Sequence, residues 1–89
     1  MSEIKVSKPT EEELQDMNVR TWGTWGCEVS TFDWEYDAVE TCYLLEGEVT
    51  VRTATGETRL QAGDLVTFPK GLQCVWDVKQ AVRKHFKFE

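Results

Sequence analysis

Histidine is nearly absent: the chain of 89 residues holds one, His85. A site built on several imidazoles cannot be assembled from this chain alone. Cysteine is scarce and odd in number, with Cys27, Cys42 and Cys74 at no C-x-x-C spacing. Reduced thiols in a cytoplasmic protein are therefore expected, not a disulfide framework. No apolar run approaches the ~18 residues of a membrane span, so no membrane partner is expected. Basic residues are in the minority, 10 Lys and Arg against 16 Asp and Glu, for a net charge of −6. Nucleic acid is excluded as a partner on that ground, because phosphate binding needs a basic face. The start, Met1-Ser2-Glu3-Ile4-Lys5, lacks a basic stretch followed by an apolar one, so no secretory signal is expected.

What is present reads as a folded globule: apolar residues make up 40% and charged residues 29%. A chain of this length forms one domain and buries only about 60–65% of its unfolded surface, so its core must be compact. Residues 1–18 read as a short strand and a short helix, and residues 19–88 as a barrel. Glu3 to Ser7 is the strand, ended by Pro9. Thr10-Glu11-Glu12-Glu13 is a capping box, and Leu14 to Met17 supports one or two helical turns. Acidic residues in the first turn suit the helix dipole.

After Asn18 the apolar residues recur with period two. Val19–Trp22 and Trp25–Trp34 read as strands, broken at Gly23. Phe32, Trp34 and Tyr36 share one parity. Glu40–Leu45 is a third strand, and Gly47 turns the chain. Glu48–Thr53 and Glu57–Leu60 flank a hairpin loop, Ala54-Thr55-Gly56. Leu65–Phe68 follows the turn at Gly63 and stops at Pro69 and Gly71; Cys74–Val78 and Ala81–Phe88 complete the set. Eight or nine short strands with turns every ~8–12 residues predict an all-β sandwich or barrel.

Two turns carry the most specific signal. In the first, Glu40 is followed after six residues by Gly47. In the second, Gly63 is followed after five residues by Pro69, then by Gly71 and Cys74. These resemble the two halves of the cupin motif. Cys74 stands where the second half has its histidine, and Val78 where it has asparagine. In the first half, Trp34 and Tyr36 take the histidine positions. A spacing one residue longer puts Asp33 and Glu35 there instead. A narrower match joins Thr31-Phe32, Trp34, Tyr36-Asp37, Glu40 to Gly47, Gly63-Asp64, Phe68-Pro69, Gly71, Trp76 and Val82-Arg83-Lys84. This set resembles small single-domain cupins of the ureidoglycine aminohydrolase-like family, from about Trp22 to Phe86. The resemblance implies a jelly-roll barrel, a double-stranded β-helix with one short N-terminal helical turn.

It also implies that the motif positions face the barrel interior. Glu40 then matches the family carboxylate and Cys74 the last histidine, with Trp34 and Tyr36 in place of two imidazoles. Strand parity adds Cys42 and Trp76 to that interior. The candidate ligand-binding set is Trp34, Tyr36, Glu40, Cys42, Cys74 and Trp76. No cofactor is expected; the alternative is a divalent transition metal on Glu40, Cys74 and His85, a donor set that suits zinc. As catalytic groups, Glu40 would be a desolvated general base and Cys74 a thiol activated by His85, Lys84 or Arg83. The plainer reading makes Cys74 a small core residue. An inward Glu40 is costly without a partner, so a ligand, Arg83, Lys84 or water must accompany it. Which way Arg83, Lys84 and His85 face is left open. Trp22 and Trp25 lie outside both motifs and suit either a dimer surface or packing beneath the helix.

Three functions follow. The first is a cupin binding an unassigned small molecule, without the usual histidine metal site. The second is an enzyme of the ureidoglycine aminohydrolase-like group using Glu40 and Cys74. The third is an assembly protein with a filled barrel. A homodimer is expected from the general habit of such folds.

Overall fold

The computed structural model describes residues 4–89; Glu3, the first residue of the expected N-terminal strand, lies outside them. Strand β1 is Lys5–Ser7 and helix α1 is Glu11–Asp16. The capping box forms: Thr10 Oγ1 accepts from the Glu13 backbone N–H at 3.2 Å, and Glu13 Oε1 accepts from the Thr10 N–H at 2.9 Å. Strands β2 (Gly23–Cys27), β3 (Ser30–Glu35), β4 (Glu40–Thr53), β5 (Gly56–Gln61), β6 (Leu65–Phe68) and β7 (Gln73–Phe88) follow. No helix among the described residues is long and apolar enough to cross a membrane.

All pairing is antiparallel, and two long strands form the spine. The first part of β4, Glu40–Tyr43, pairs with β6, which in turn pairs with β1. The second part, Glu48–Thr53, pairs with β5. On its other edge β4 runs along β7 throughout. The far edge of β7 takes β3 beside Gln73–Val78 and β2 beside Val82–Phe86. One layer therefore reads β1-β6-β4-β7-β2 and the other β5-β4-β7-β3, with β4 and β7 bending from one into the other. This is the all-β jelly-roll arrangement that the family resemblance implies, one of the barrels that the turn spacing allows.

The spine differs from the expected set of short strands. Gly47 does not end a strand; it bends one. Register shifts along β4 lie between Leu44 and Val49. They carry the inward set from even positions (Glu40, Cys42, Leu44) to odd ones (Val49, Val51). Such bulges let a strand turn a corner while its hydrogen bonds continue on either side. Gly47 has φ +101°, and a Cβ there would lie 2.5 Å from the Ala81 carbonyl oxygen. Only glycine fits both demands. Cys74–Val78 and Ala81–Phe88 are likewise one strand, β7, whose inward positions stay even from Cys74 through Lys84.

Two other expectations are corrected. Val19–Trp22 is not a strand, because Asn18 takes a left-handed conformation (φ 54°) and starts a 3₁₀ turn over Val19–Thr21. The Thr21 hydroxyl donates to the Asn18 carbonyl at 2.6 Å, a local bond that competes with sheet pairing. Trp25–Trp34 is two strands, separated at Glu28-Val29.

The core joins both layers: Leu44, Val49, Val51, Leu60, Val66 and Val78 are fully or almost fully buried. On the outer surface Lys79, 2.7 Å away, and then Arg52, which donates at 2.6 Å, hold the Asp77 carboxyl down at about 2.

Candidate functional site

Glu40 opens β4 and points inward, 3% exposed. Its partner is Lys84, two turns of the pleat from the end of β7 and 6% exposed. Lys84 Nζ donates to Glu40 Oε2 at 2.6 Å. Arg83, of the opposite parity, faces out and lies 3.7 Å from Glu46. Of the accompanying groups that an inward Glu40 demands, the chain supplies Lys84.

Aromatic rings surround this pair. Lys84 Nζ lies 4.7 Å from the Trp76 ring centroid and 5.1 Å from that of Trp25, within cation–π reach of both. Trp25 is placed there by register, since it stands directly opposite Lys84 across the β2–β7 ladder. Phe32 stands opposite Trp76 on β3 and stacks on it at 6.1 Å. Tyr36 follows β3 and is tied to the next loop through Gly71 and Leu72 backbone bonds. Its ring stacks on Phe68 at 4.7 Å, and its hydroxyl accepts from the Trp76 indole N–H at 3.2 Å. Burial, then the Glu40 charge, pushes the Tyr36 phenol far above its usual value.

The result is a pocket of about 230 Å³ with Glu40 and Lys84 as its polar floor. Trp25, Phe32, Trp76 and Phe86 form the walls. Trp34 and Phe88, 49% and 53% exposed, form the rim. Of the six expected ligand-binding residues, the structure brings Trp34, Tyr36, Glu40 and Trp76 to this pocket. Cys42 and Cys74 do not line it. Cys42 is sealed in the core, where burial pushes its thiol up to about 12. Cys74 instead borders a wider depression of about 700 Å³ with Trp34, Glu35 and Arg52. Arg52 there is tied to Asp77 and Glu57.

The catalytic and metal alternatives lose their geometry. Burial raises the Cys74 thiol to about 11, the reverse of what a nucleophile needs. His85 has outward parity, and its Nδ1 meets Thr24 Oγ1 at 3.2 Å, so it cannot join Glu40 and Cys74. Among the described residues no three His, Cys, Asp or Glu side chains converge as a metal site. Asp33 and Glu35, the alternative pair, lie on β3 at exposed positions. At the place where a cupin would hold an ion, an ammonium already neutralises the carboxylate. Lys84 offers donors only, and its charge repels a second cation.

Sequence reasoning missed Lys84 as the settled partner and Trp25, Phe32, Phe86 and Phe88 as lining. The signal was available for part of this. Continuing the even parity of Cys74 and Trp76 along one unbroken strand reaches Lys84 and Phe86. Trp25 required the β2–β7 register. Trp22, by contrast, donates its indole N–H to the Met17 carbonyl at 3.2 Å, closing the end of α1.

With the fold and pocket described, known proteins supply the context. A crystal structure of a DUF861 family protein from Thermotoga maritima is 52% identical, with a TM-score of 0.95 over 98% of this chain and 100% of that one. The EutQ protein of Clostridium difficile is 18% identical, with a TM-score of 0.69 over 98% of this chain and 68% of that one. A DUF1255 protein from Acidithiobacillus ferrooxidans is 17% identical, with a TM-score of 0.66 over 70% and 60%. At these lower identities the likeness is one of fold. No curated protein matches the sequence. The model of the EutQ-like cupin domain matches residues 14–86, from within α1 almost to the end of β7, and the chain belongs to this cupin family.

Proposed function

We propose that this protein is a small-molecule-binding cupin whose ligand occupies the aromatic pocket over Glu40 and Lys84. One observation carries the reading: a buried ion pair with a 2.6 Å contact forms the floor of a pocket with aromatic walls. A filled barrel needs no such pair, because an apolar pair of similar volume is often equally stabilising. Aromatic walls with a few placed polar groups are the usual composition of a ligand site. The exposed rim residues Trp34 and Phe88 offer apolar surface at the mouth for a bound molecule to cover.

The narrower resemblance to the ureidoglycine aminohydrolase-like group suggests an enzyme using Glu40 and Cys74. Nothing in the site favours that reading over binding: the thiol is raised and stands outside the pocket. Assembly through Trp25 is likewise not favoured, since that ring lies 6.0 Å from Trp76 in the pocket wall.

The test is a melting-temperature screen with planar one- and two-ring compounds, indole and quinoline among them. A compound at one hundred times its Kd should stabilise the protein by about 2.7 kcal/mol. For a domain of this size that is a rise on the order of 10 °C. Trp25→Ala should remove most of the rise, and intrinsic tryptophan fluorescence should report the same binding. A flat response across the series would overturn the proposal.

A further inference from the structure

The pocket floor restricts what kind of molecule can lie on it. Glu40 and Lys84 are each more than nine-tenths buried, and their charges cancel. No other residue lining this pocket is charged. A ligand carrying a net charge would therefore bring an uncompensated charge into apolar surroundings. A carboxylate would compete with Glu40 for Lys84, and an ammonium would compete with Lys84 for Glu40. Either would leave one charge uncompensated beside the 2.6 Å pair.

Each member of the pair has hydrogen-bonding capacity left over. Glu40 accepts from Lys84 through Oε2, and among the described residues no donor reaches Oε1. No buried side-chain oxygen or nitrogen among them lacks a partner, so Oε1 retains access to solvent on the pocket side. Lys84 has three N–H donors and one acceptor, Glu40. Two donors are left over; the Trp25, Trp76 and Phe86 rings lie 5.1, 4.7 and 6.0 Å from Nζ, and Lys84 lines the pocket, where a donor can turn from a ring to a ligand oxygen. The ion pair thus offers one acceptor beside one donor, with the Tyr36 hydroxyl, which accepts from Trp76, as the other polar group of the lining.

Resting on the binding function proposed above, we infer that the ligand is a neutral, planar molecule with a cyclic amide edge, an N–H adjacent to a C=O. The ring N–H donates to Glu40 Oε1, and the carbonyl oxygen accepts from Lys84. The ion pair stays intact and no net charge is added. The flat ring lies against Trp76 and Phe32, which are nearly parallel at 18°. A volume of about 230 Å³ falls below the ~300 Å³ at which pockets for drug-sized ligands begin, which suits one or two rings.

The experiment compares five probes by calorimetric titration and thermal shift: uracil, hypoxanthine, indole, benzoate and benzylamine. The first two carry the amide edge; indole is flat and neutral without a carbonyl; the last two are charged. Uracil or hypoxanthine should bind at least about tenfold tighter than the other three, because only they satisfy both floor groups. In the double variant E40L/K84M, which replaces the pair by apolar side chains, that preference should vanish while indole binding remains. In the wild-type protein, NMR should show contacts from the uracil ring protons to Trp25 and Trp76, a readout independent of how the variant folds. Tighter binding of benzoate or benzylamine, or an unaltered preference in the folded double variant, overturns the inference. Equal binding of indole and the amides overturns it too, yet leaves the binding function standing. If none of the five binds, both fall.

Discussion

Glu40 and Lys84 are each almost out of contact with bulk water, so neither can be changed alone without leaving a charge buried and unpaired. Lys84→Met or Glu40→Leu should each lower stability by about 3–5 kcal/mol. The double replacement E40L/K84M should recover most of that loss, because two apolar side chains restore packing and remove both desolvation costs. Urea unfolding of the four proteins closes the cycle. Additive losses would show that the two side chains do not act as a pair. The neighbouring Arg83 gives the control: its contact with Glu46 is exposed and 3.7 Å long, so Arg83→Ala should change stability by less than about 1 kcal/mol.

At the scale of the element, the bend in β4 is tightly constrained: among the glycines Gly47 alone combines a positive φ with a close contact for an added Cβ. Gly47→Ala adds a methyl group 2.5 Å from the Ala81 oxygen at a backbone φ of +101°. Conformational strain and overpacking together should cost roughly 2–4 kcal/mol. Gly71 also has positive φ, +86°, but nothing lies within 4 Å of its added Cβ. Gly71→Ala should therefore cost only the backbone part, about 1 kcal/mol. Thermal unfolding of the two variants separates steric from conformational cost; equal losses would contradict the close packing of the bend. The same element shows what sequence could and could not disclose. Period-two alternation made β4 and β7 legible as strand, and Glu40-x6-Gly47 with Gly63-x5-Pro69-x-Gly71 made the barrel legible as a family resemblance. The resemblance implied that Glu40 and Cys74 face inward and alternation added Cys42 and Trp76; all four are buried. Alternation did not disclose that Gly47 bends rather than ends a strand, since both uses require the same backbone freedom. Nor did it disclose Trp25 in the pocket, because that position depends on pairing with a strand some sixty residues later. Val19–Trp22 misled for a local reason: its β-forming residues follow Asn18, whose left-handed conformation starts a turn.

Across the whole molecule, the buried thiols link the fold to alkaline pH. Cys42 and Cys74 are raised to about 12 and about 11 in the folded state, above the ~8.5 of an unfolded cysteine. The folded state therefore holds protons that the unfolded state releases. Their stabilising contribution is fully present below pH ~8.5 and is lost as pH climbs towards 11–12. Stability measured by urea titration should decline over that window, and less so in a Cys42→Ala, Cys74→Ala protein. Thiol labelling at pH 8 should modify Cys27, which is only partly buried, well before the other two. Rapid labelling of Cys42 in the native protein would contradict the sealed core.

Because β4 and β7 each belong to both layers, the molecule has no seam along which one wall could swing away from the other. A guest must therefore enter past the rim, by side-chain rotation of Trp34 and Phe88, while the hydrogen-bonded spine stays closed. Entry should be fast and nearly independent of global unfolding. Amide protons along the β4–β7 ladder should slow on binding only by as much as global stability rises, with no extra opening of the ladder when the pocket is empty.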